Sequence, residues 1–401
     1  MNPSPSFVAV DANWDSSMEI YRALSEHMPG LVVEAREWRQ GRRAGWFRSG
    51  GRRLSRLSPG LWRERYALPP GWFHSMNPLS MPLLGRSIAR SATRALGARP
   101  AVWFFSSPYY LRLLQAVNPE FSVYHPVDDY RWYWPRLTGR TDRFEAAMVA
   151  RADLVVCVST YNRNRLQKLC PDNPEKIVHV PNGAPQRFLD APDRQAVARW
   201  KAQLAPLERP LLAYVGDPTG RADLEMLRAL AGARIGTLVF AGPNRLPTHL
   251  SGHPNVRALG PVLGEEVPGL LQACDVLLIP QEDSELNRAG SPRKLWEYCA
   301  SGKPIVGSCV TEVESSGDGI RIATTATEFV HHVQDLVARG ERPGDPEARR
   351  TLALEHSYPV LGLRLLQHLV DHSPGLFSQL PDAYRVSEPT AVAMPRTQRQ
   401  T

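Results

Sequence analysis

Two hydrophobic rhythms take turns along this chain. Short apolar runs that end in polar or turn residues read as strands: "SFVAVDA" (6–12), "AVWFFSS" (101–107), "FSVYHPV" (121–127), "DLVVCVS" (153–159) and "IVHVPNG" (177–183). Between them, apolar residues three and four apart predict helices over "SSMEIYRALSEHM", stopped by Pro29-Gly30, and over "RTDRFEAAMVARA" and "YNRNRLQKLC". A linker at 191–208 follows, with one helical stretch, "RQAVARWKAQLA". The alternation then restarts. "PLLAYVGD", "IGTLVFAG", "NVRALG", "VLLIP" and "PIVGS" are strands, while "RADLEMLRALA", "EVPGLLQACD", "SPRKLWEY" and "TEFVHHVQDLVARG" are helices. Repeated strand–helix alternation predicts parallel sheets covered on both faces, hence an α/β chain of two doubly wound domains, 1–190 and 209–355, facing across a cleft. A helix is expected within 356–379, and the polar tail 380–401 is expected to be disordered. Ligands of such sheets bind outside the carboxyl ends of the strands, so the residues just after strands are read for chemistry.

Composition narrows the classes. Of 401 residues, 43% are hydrophobic and 22% charged, which suits a globular protein. The apolar runs are too short to span a bilayer, and the N-terminus lacks the pattern of a secretion signal. Five scattered cysteines, none in a metal-binding spacing, suit buried thiols in a reducing cytosol. The net charge of +8 is uneven. Residues 34–100 hold fourteen arginines against three acids, interleaved with Trp38, Trp46, Phe47, Trp62, Trp72 and Phe73. Arginine beside tryptophan suits an anionic membrane surface, which would make the protein cytoplasmic and peripheral on the inner membrane face. A solvated basic face is the plain alternative, and nucleic acid is not expected as a partner.

Two stretches carry the chemistry. In "SPRKLWEY", Ser291 is expected to cap a helix and Pro292 to sit in its first turn. The free amides of a helix start attract an anion, Lys294 adds a cation, and Glu297 lies one turn on, where a carboxylate can accept from vicinal hydroxyls. The combination reads as a binder of a nucleoside diphosphate; the alternative is a surface ion pair between Lys294 and Glu297. Gly216, in "YVGDPTG", also follows a strand. The second stretch is "VYHPVDDYRWYWP". Asp128 and Asp129 follow a strand, His125 is close by, and the aromatic residues after them can stack on sugar rings. Adjacent carboxylates on extended chain point to opposite sides, so one of the two faces the cleft. The alternatives are an Asp128–arginine pair, a capping role for Asp129 and a packed His125. After the first strand, Asn13, Trp14 and Asp15 form a loop facing the cleft, or an ordinary turn. Two aspartates without a third ligand define no metal site. No G-x-G-x-x-G follows either first strand, which disfavours a dehydrogenase.

"SPRKLWEYCASGKPIV" resembles the donor-site signature of nucleotide-sugar glycosyltransferases with the GT-B fold. "LLAYVGDPTGRADLEMLRALA", "LVFAGP" and "NVRALGPVLGEEVPGLLQACDVLLIPQEDSELNRAGSPRKLWEY" are similar, in order, to the donor half of the bacterial polysaccharide-biosynthesis type, and "HVPNGA" resembles the close of the first domain. The resemblance covers most of residues 100–310. It implies a GT-B architecture of two Rossmann-like domains and transfer of a sugar from a UDP- or GDP-linked donor to a glycan or polyprenyl-linked acceptor, with no cofactor or bound metal. It implies that Lys294 contacts the diphosphate, Glu297 the ribose, the backbone of Gly260 to Val262 the base, and that Gly216 and Ser291 line the donor site. The matching stretch of the xanthan-type glucuronosyltransferase, an inverting enzyme, implies Asp128 as the catalytic base; Asp129, His125, Trp14 and Asn13 are expected on the acceptor side from their places after strands. The GT-B resemblance also implies that the 356–379 helix crosses back to the first domain. The sequence departs at Ala289, where many retaining members carry a glutamate. An epimerase of the same fold and a non-catalytic nucleotide-sugar binder are the alternatives.

Overall fold

The computed structural model describes residues 5–13, 15–43, 53–72, 76–243, 246–314 and 319–378. Two sheets form the frame. The first contains β1 (Phe7–Val10), β2 (Gly30–Glu37), β3 (Leu54–Ser58), β4 (Leu61–Leu68), β5 (Val102–Phe105), β6 (Phe121–Tyr124), β7 (Leu154–Cys157) and β8 (Ile177–His179), in the order β3-β4-β2-β1-β5-β6-β7-β8. The second contains β9 (Leu211–Val215), β10 (Thr237–Ala241), β11 (Val256–Gly260), β12 (Val276–Ile279), β13 (Ile305–Ser308) and β14 (Ile320–Ala323), in the order β11-β10-β9-β12-β13-β14. Every pairing is parallel except β3 with β4. The chain runs outward from β1 in one direction and then, from β5, in the other; β9 and β12 repeat this in the second sheet. Each sheet thus has one switch point, where a ligand crevice is expected. Each is buried on both faces, by one apolar layer per face.

Four strands escape the hydrophobic pattern. β2 follows at once on the Pro29-Gly30 stop, and β14 is only half-buried. β3 and β4 lie inside the arginine-rich stretch, whose charge hides their alternation. There the sheet pairs the charges. Arg65 Nε donates to Glu34 at 2.9 Å, Arg53 bridges Glu64 at 3.1 Å, and Arg53 also lies 3.9 Å above the Tyr66 ring. Trp72 is core, at 2% exposure, and Arg56 stacks over Trp62. Much of the 34–100 segment is therefore sheet and core, not a continuous basic surface. Trp46, Phe47, Arg48, Arg52 and Phe73 lie outside the described residues, as does the tail 380–401.

Residues 191–208 contain helix Arg194–Leu204, capped by Asp193 and packed on helix Val267–Ala273 of the second unit. Helix Tyr358–His372 returns to the first unit and packs against helix Asp15–Leu24. That contact is close because position 362 is a glycine: a Cβ there would stand 2.7 Å from the Ala23 Cβ and 3.1 Å from the Ala23 backbone. No helix among the described residues is long and apolar enough to cross a membrane.

Replacing Gly362 by alanine is expected to destabilise the protein by about 1–3 kcal/mol, the usual cost of overpacking. Gly375→Ala, where a Cβ meets nothing, is the control. Chemical denaturation of both variants checks the difference.

Candidate active site in the interdomain cleft

The carboxyl ends of both sheets open onto one cleft of about 990 Å³. Its first wall carries Asp11, Asn13, Arg36, Asp128, Tyr130 and Tyr133; its second carries Tyr214, Gly216, Arg221, Asn287, Ser291 and Lys294.

The second wall is built for close approach. Gly216 follows β9 at φ +131° and donates its amide to Ala241 at 2.8 Å. A Cβ on Gly216 would stand 3.2 Å from Lys294 Nζ, so the glycine makes room for the lysine. Lys294 Nζ also sits 3.9 Å from the Tyr214 ring centroid, a cation–π contact that holds the charge at the wall. Lys294 belongs to helix Arg293–Ser301. Ser291 does not cap this helix, contrary to the sequence expectation. Pro292 takes the N-cap position, with no side-chain hydrogen bond to the first turn. Ser291 instead bridges the two units: its Oγ accepts from the Asn182 amide at 3.1 Å, and its carbonyl accepts from Asn182 Nδ2 at 2.7 Å. The helix start therefore faces the cleft without a competing side-chain acceptor, and an anion is the natural partner for its amides.

Other donor-side expectations fall elsewhere. Glu297 is buried and does not line the cleft; its Oε1 accepts from Arg293 Nη2 at 3.0 Å, one turn back. The ion pair here is thus Arg293–Glu297, not Lys294–Glu297. Gly260 takes a left-handed φ of +77° and accepts from the Gly242 amide, and Val262 packs against the core of the second unit; neither lines the cleft. Ala289 is fully buried, and its carbonyl accepts from Ser159 Oγ of the first unit at 2.7 Å.

On the first wall the two adjacent aspartates separate. Asp128 lines the cleft and is engaged there: Arg221 Nη2 donates at 2.6 Å from the second unit, and the Tyr133 hydroxyl donates at 2.7 Å. Asp129 is fully buried, away from the cleft. It accepts from the amide and guanidinium of Arg131 in a tight Asx-type turn. Burial pushes its carboxyl up, but the Arg131 bonds prevail and hold it below its ordinary value. His125 is a packed histidine at hydrogen-bond distance, 2.9 Å, from the Tyr21 hydroxyl; burial lowers it to about 4, so the ring is neutral at pH 7. It lines a small separate pocket. Asn13 lines the cleft and donates to the Ala35 carbonyl at 2.9 Å and to Asp11. Trp14 lies outside the described residues, and Asp15 begins a helix, not a loop.

The sequence reading passed over Asp11, the first polar residue after β1. It sits at the switch point of the first sheet in a left-handed conformation, φ +70°, and Ser106, just after β5, donates to it at 3.3 Å. Burial drives its carboxyl up to about 7, against the lowering effects of Ser106 and Arg36. The rule that singles out residues just after strands would have found it. Arg221 and Arg36 were also missed, since nothing local distinguishes them from other arginines. Among the described residues no group of three or more histidine, cysteine or acidic side chains is placed to hold a metal.

This frame is that of GT-B glycosyltransferases. Among solved structures, HepE of Anabaena in complex with UDP aligns over 92% of this chain and 100% of its own, at TM-score 0.66 and 12% identity. The α,α-trehalose 6-phosphate synthase of Burkholderia multivorans aligns over 93% and 100%, at TM-score 0.66 and 13% identity. The two halves carry the corresponding domains: residues 23–186 match the model of Glycosyltransferase Family 4, and residues 218–339 that of Glycosyl transferases group 1. The chain has the two-domain GT-B fold, and its two halves match these two glycosyltransferase domain types. A curated relative, the putative teichuronic acid biosynthesis glycosyltransferase TuaH of Bacillus subtilis (strain 168), is 30% identical over 170 residues, which is 41% of this chain and 42% of the relative.

Arg221 joins the two walls through Asp128. Arg221→Ala is expected to loosen that junction and raise the radius of gyration measured by small-angle X-ray scattering. Arg288→Ala, whose partner Asp283 lies in the same unit, is expected to leave it unchanged.

Proposed function

We propose that the protein transfers a sugar from a nucleoside-diphosphate donor to a hydroxyl of a growing cell-surface polysaccharide or its polyprenyl-linked precursor. One observation carries the reading: Lys294 stands on the cleft wall, against Gly216 and Tyr214, at a helix start that no side chain caps. A leaving diphosphate develops charge there, and a fixed cation with free amides stabilises it most in the transition state. Protein groups thus take the neutralising role that a metal has in other transferases. UDP is the first nucleotide to test, because HepE has been solved with UDP and with UDP-glucose. The name of TuaH supports a polysaccharide acceptor. Glu297, buried beneath this wall and held at Oε1 by Arg293, is not given a contact with the donor in this reading. Three first-domain carboxylates line the cleft, Asp11, Glu37 and Asp128.

The acceptor side also suits a membrane surface. Helix Asn77–Leu96 exposes Leu79 (72%) and Leu83 (63%), followed by exposed Arg86, Arg90 and Arg94. The chain has no acidic residue between Glu64 and Glu120. An outward face with leucines at one end and arginines along the rest fits an anionic bilayer, where the leucines enter the acyl boundary and the arginines meet phosphate.

UDP is expected to raise the melting temperature of the wild type and to have little effect on Lys294→Ala; no shift with UDP or GDP in the wild type would sink the donor reading. Vesicles containing anionic lipid are expected to retain the protein at low salt in a sedimentation assay. Leu79→Ser with Leu83→Ser should release it, and neutral vesicles should not retain it.

A further inference from the structure

Arg221 is rooted in the second wall and bonded to the first. Its backbone is fixed, because its carbonyl accepts from Asn287 Nδ2 at 2.8 Å and from the Glu282 amide at 3.0 Å. Its guanidinium lies against Gly290, where a Cβ would stand 3.1 Å from Nη1. Gly290 is two residues before Pro292, the N-cap of the helix that carries Lys294. Two cations of one wall are thus each packed on a glycine, Lys294 on Gly216 and Arg221 on Gly290, beside the same helix start. The far nitrogen of the guanidinium, Nη2, crosses the cleft and donates to Asp128 Oδ2 at 2.6 Å. Geometry singles out Asp128 among the four carboxylates that line the cleft. Glu37 accepts from the Gly71 amide at 3.3 Å, Asp217 from the Thr219 amide at 2.9 Å and Asp11 from Ser106 at 3.3 Å, donors of their own walls. Asp128 accepts from a cation of the opposite wall.

Resting on the glycosyltransferase reading above, we propose that Asp128 is a gate on the donor site: it competes with the donor diphosphate for the Arg221 guanidinium. Arg221 on Asp128 is one arrangement, and Arg221 on a diphosphate held by Lys294 is the other. A shared form is disfavoured, because it brings a carboxylate and a diphosphate side by side at one cation. The competition is reciprocal. The Asp128 bond lowers the affinity for the nucleotide, and bound nucleotide weakens the Asp128 bond by the same factor.

Both groups keep partners when they part, which is what a switch requires. Asp128 retains the Tyr133 hydroxyl on Oδ2, at 2.7 Å, and the Asp129 amide on Oδ1, at 3.0 Å. Arg221 has 36% of its side chain exposed, so it has room to turn, and its planar fork suits phosphate as well as carboxylate. The neighbouring pair lacks these properties. Asp129 is fully buried and takes its cation from Arg131, two residues away on the same wall, away from the helix start. The gate also links the two substrates. Once a nucleotide has claimed Arg221, the Asp128 carboxylate and the Tyr133 hydroxyl on the first wall are released to the hydroxyls of an acceptor. Nucleotide bound on the second wall is thereby registered on the first.

The test is a double-mutant cycle on binding, read by isothermal titration calorimetry at fixed ionic strength with whichever of UDP and GDP stabilises the wild type. Asp128→Asn keeps the shape and removes the charge. It is expected to bind the nucleotide about tenfold more tightly than the wild type, although it lies on the other wall. Arg221→Gln is expected to bind it about tenfold more weakly. In the Arg221→Gln background, Asp128→Asn should change the affinity by less than about twofold. Glu37→Gln measures what removal of another cleft charge does, and should tighten binding clearly less than Asp128→Asn. Thermal melts check that each variant is folded, and Asp128→Ser carries the same expectation should asparagine disturb the wall. The proposal is overturned if Asp128→Asn binds no more tightly than the wild type or if Arg221→Gln binds as well as the wild type. It is overturned equally if Asp128→Asn tightens binding as much without Arg221, or if Glu37→Gln tightens it as much. A wild type that binds neither nucleotide sinks the donor reading itself, and this proposal with it.

Discussion

Two parallel sheets, each covered on both faces, leave the polar groups of this protein few places to gather. In the central strands of each sheet the side chains are mostly apolar, since either face packs against helices. The backbone groups are consumed by the ladders until the strands end. At the carboxyl ends the ladders stop, the chain turns, and polar side chains and unshared amides appear together. Because the carboxyl ends of both sheets open onto the same cleft, the chemistry of the two domains is forced into it.

The walls of that cleft differ in charge and in kind. The second wall offers a lysine, an uncapped helix start and a glycine that permits close approach, a surface suited to a bound anion. The first offers carboxylates and aromatic rings. Opposite charges on opposed walls attract, and the Arg221–Asp128 pair, at 2.6 Å, is where that attraction becomes a bond. The Asn182–Ser291 and Ser159–Ala289 bonds hold the same seam, and helix Tyr358–His372 carries the end of the chain back across it.

The division between legible and illegible residues follows the range of the forces. Lys294 could be read because the helix start that makes it useful is written in adjacent residues, from Ser291 to Glu297. Asp128 and Asp129 could be seen as a pair, but which one faces the cleft could not. Arg131, two residues away, claims one, and Arg221, ninety-three residues away, claims the other. β3 and β4 were hidden because their arginines look solvated until Glu34 and Glu64 are brought alongside.

By itself the sequence determined the class of fold, two strand–helix alternations with a break between them, because hydrophobic periodicity is a local property that burial on both faces of a sheet makes obligatory. It also determined the helix start that carries Lys294, for the same reason of locality. Only the tertiary structure decided the surroundings of the carboxylates. Whether an aspartate is a held anion or a proton acceptor near neutrality depends on how much water folding removes from it and which distant cation folding brings near. Asp11 and Asp128 are the same residue type at equivalent places after strands, and the folded chain gives them opposite surroundings.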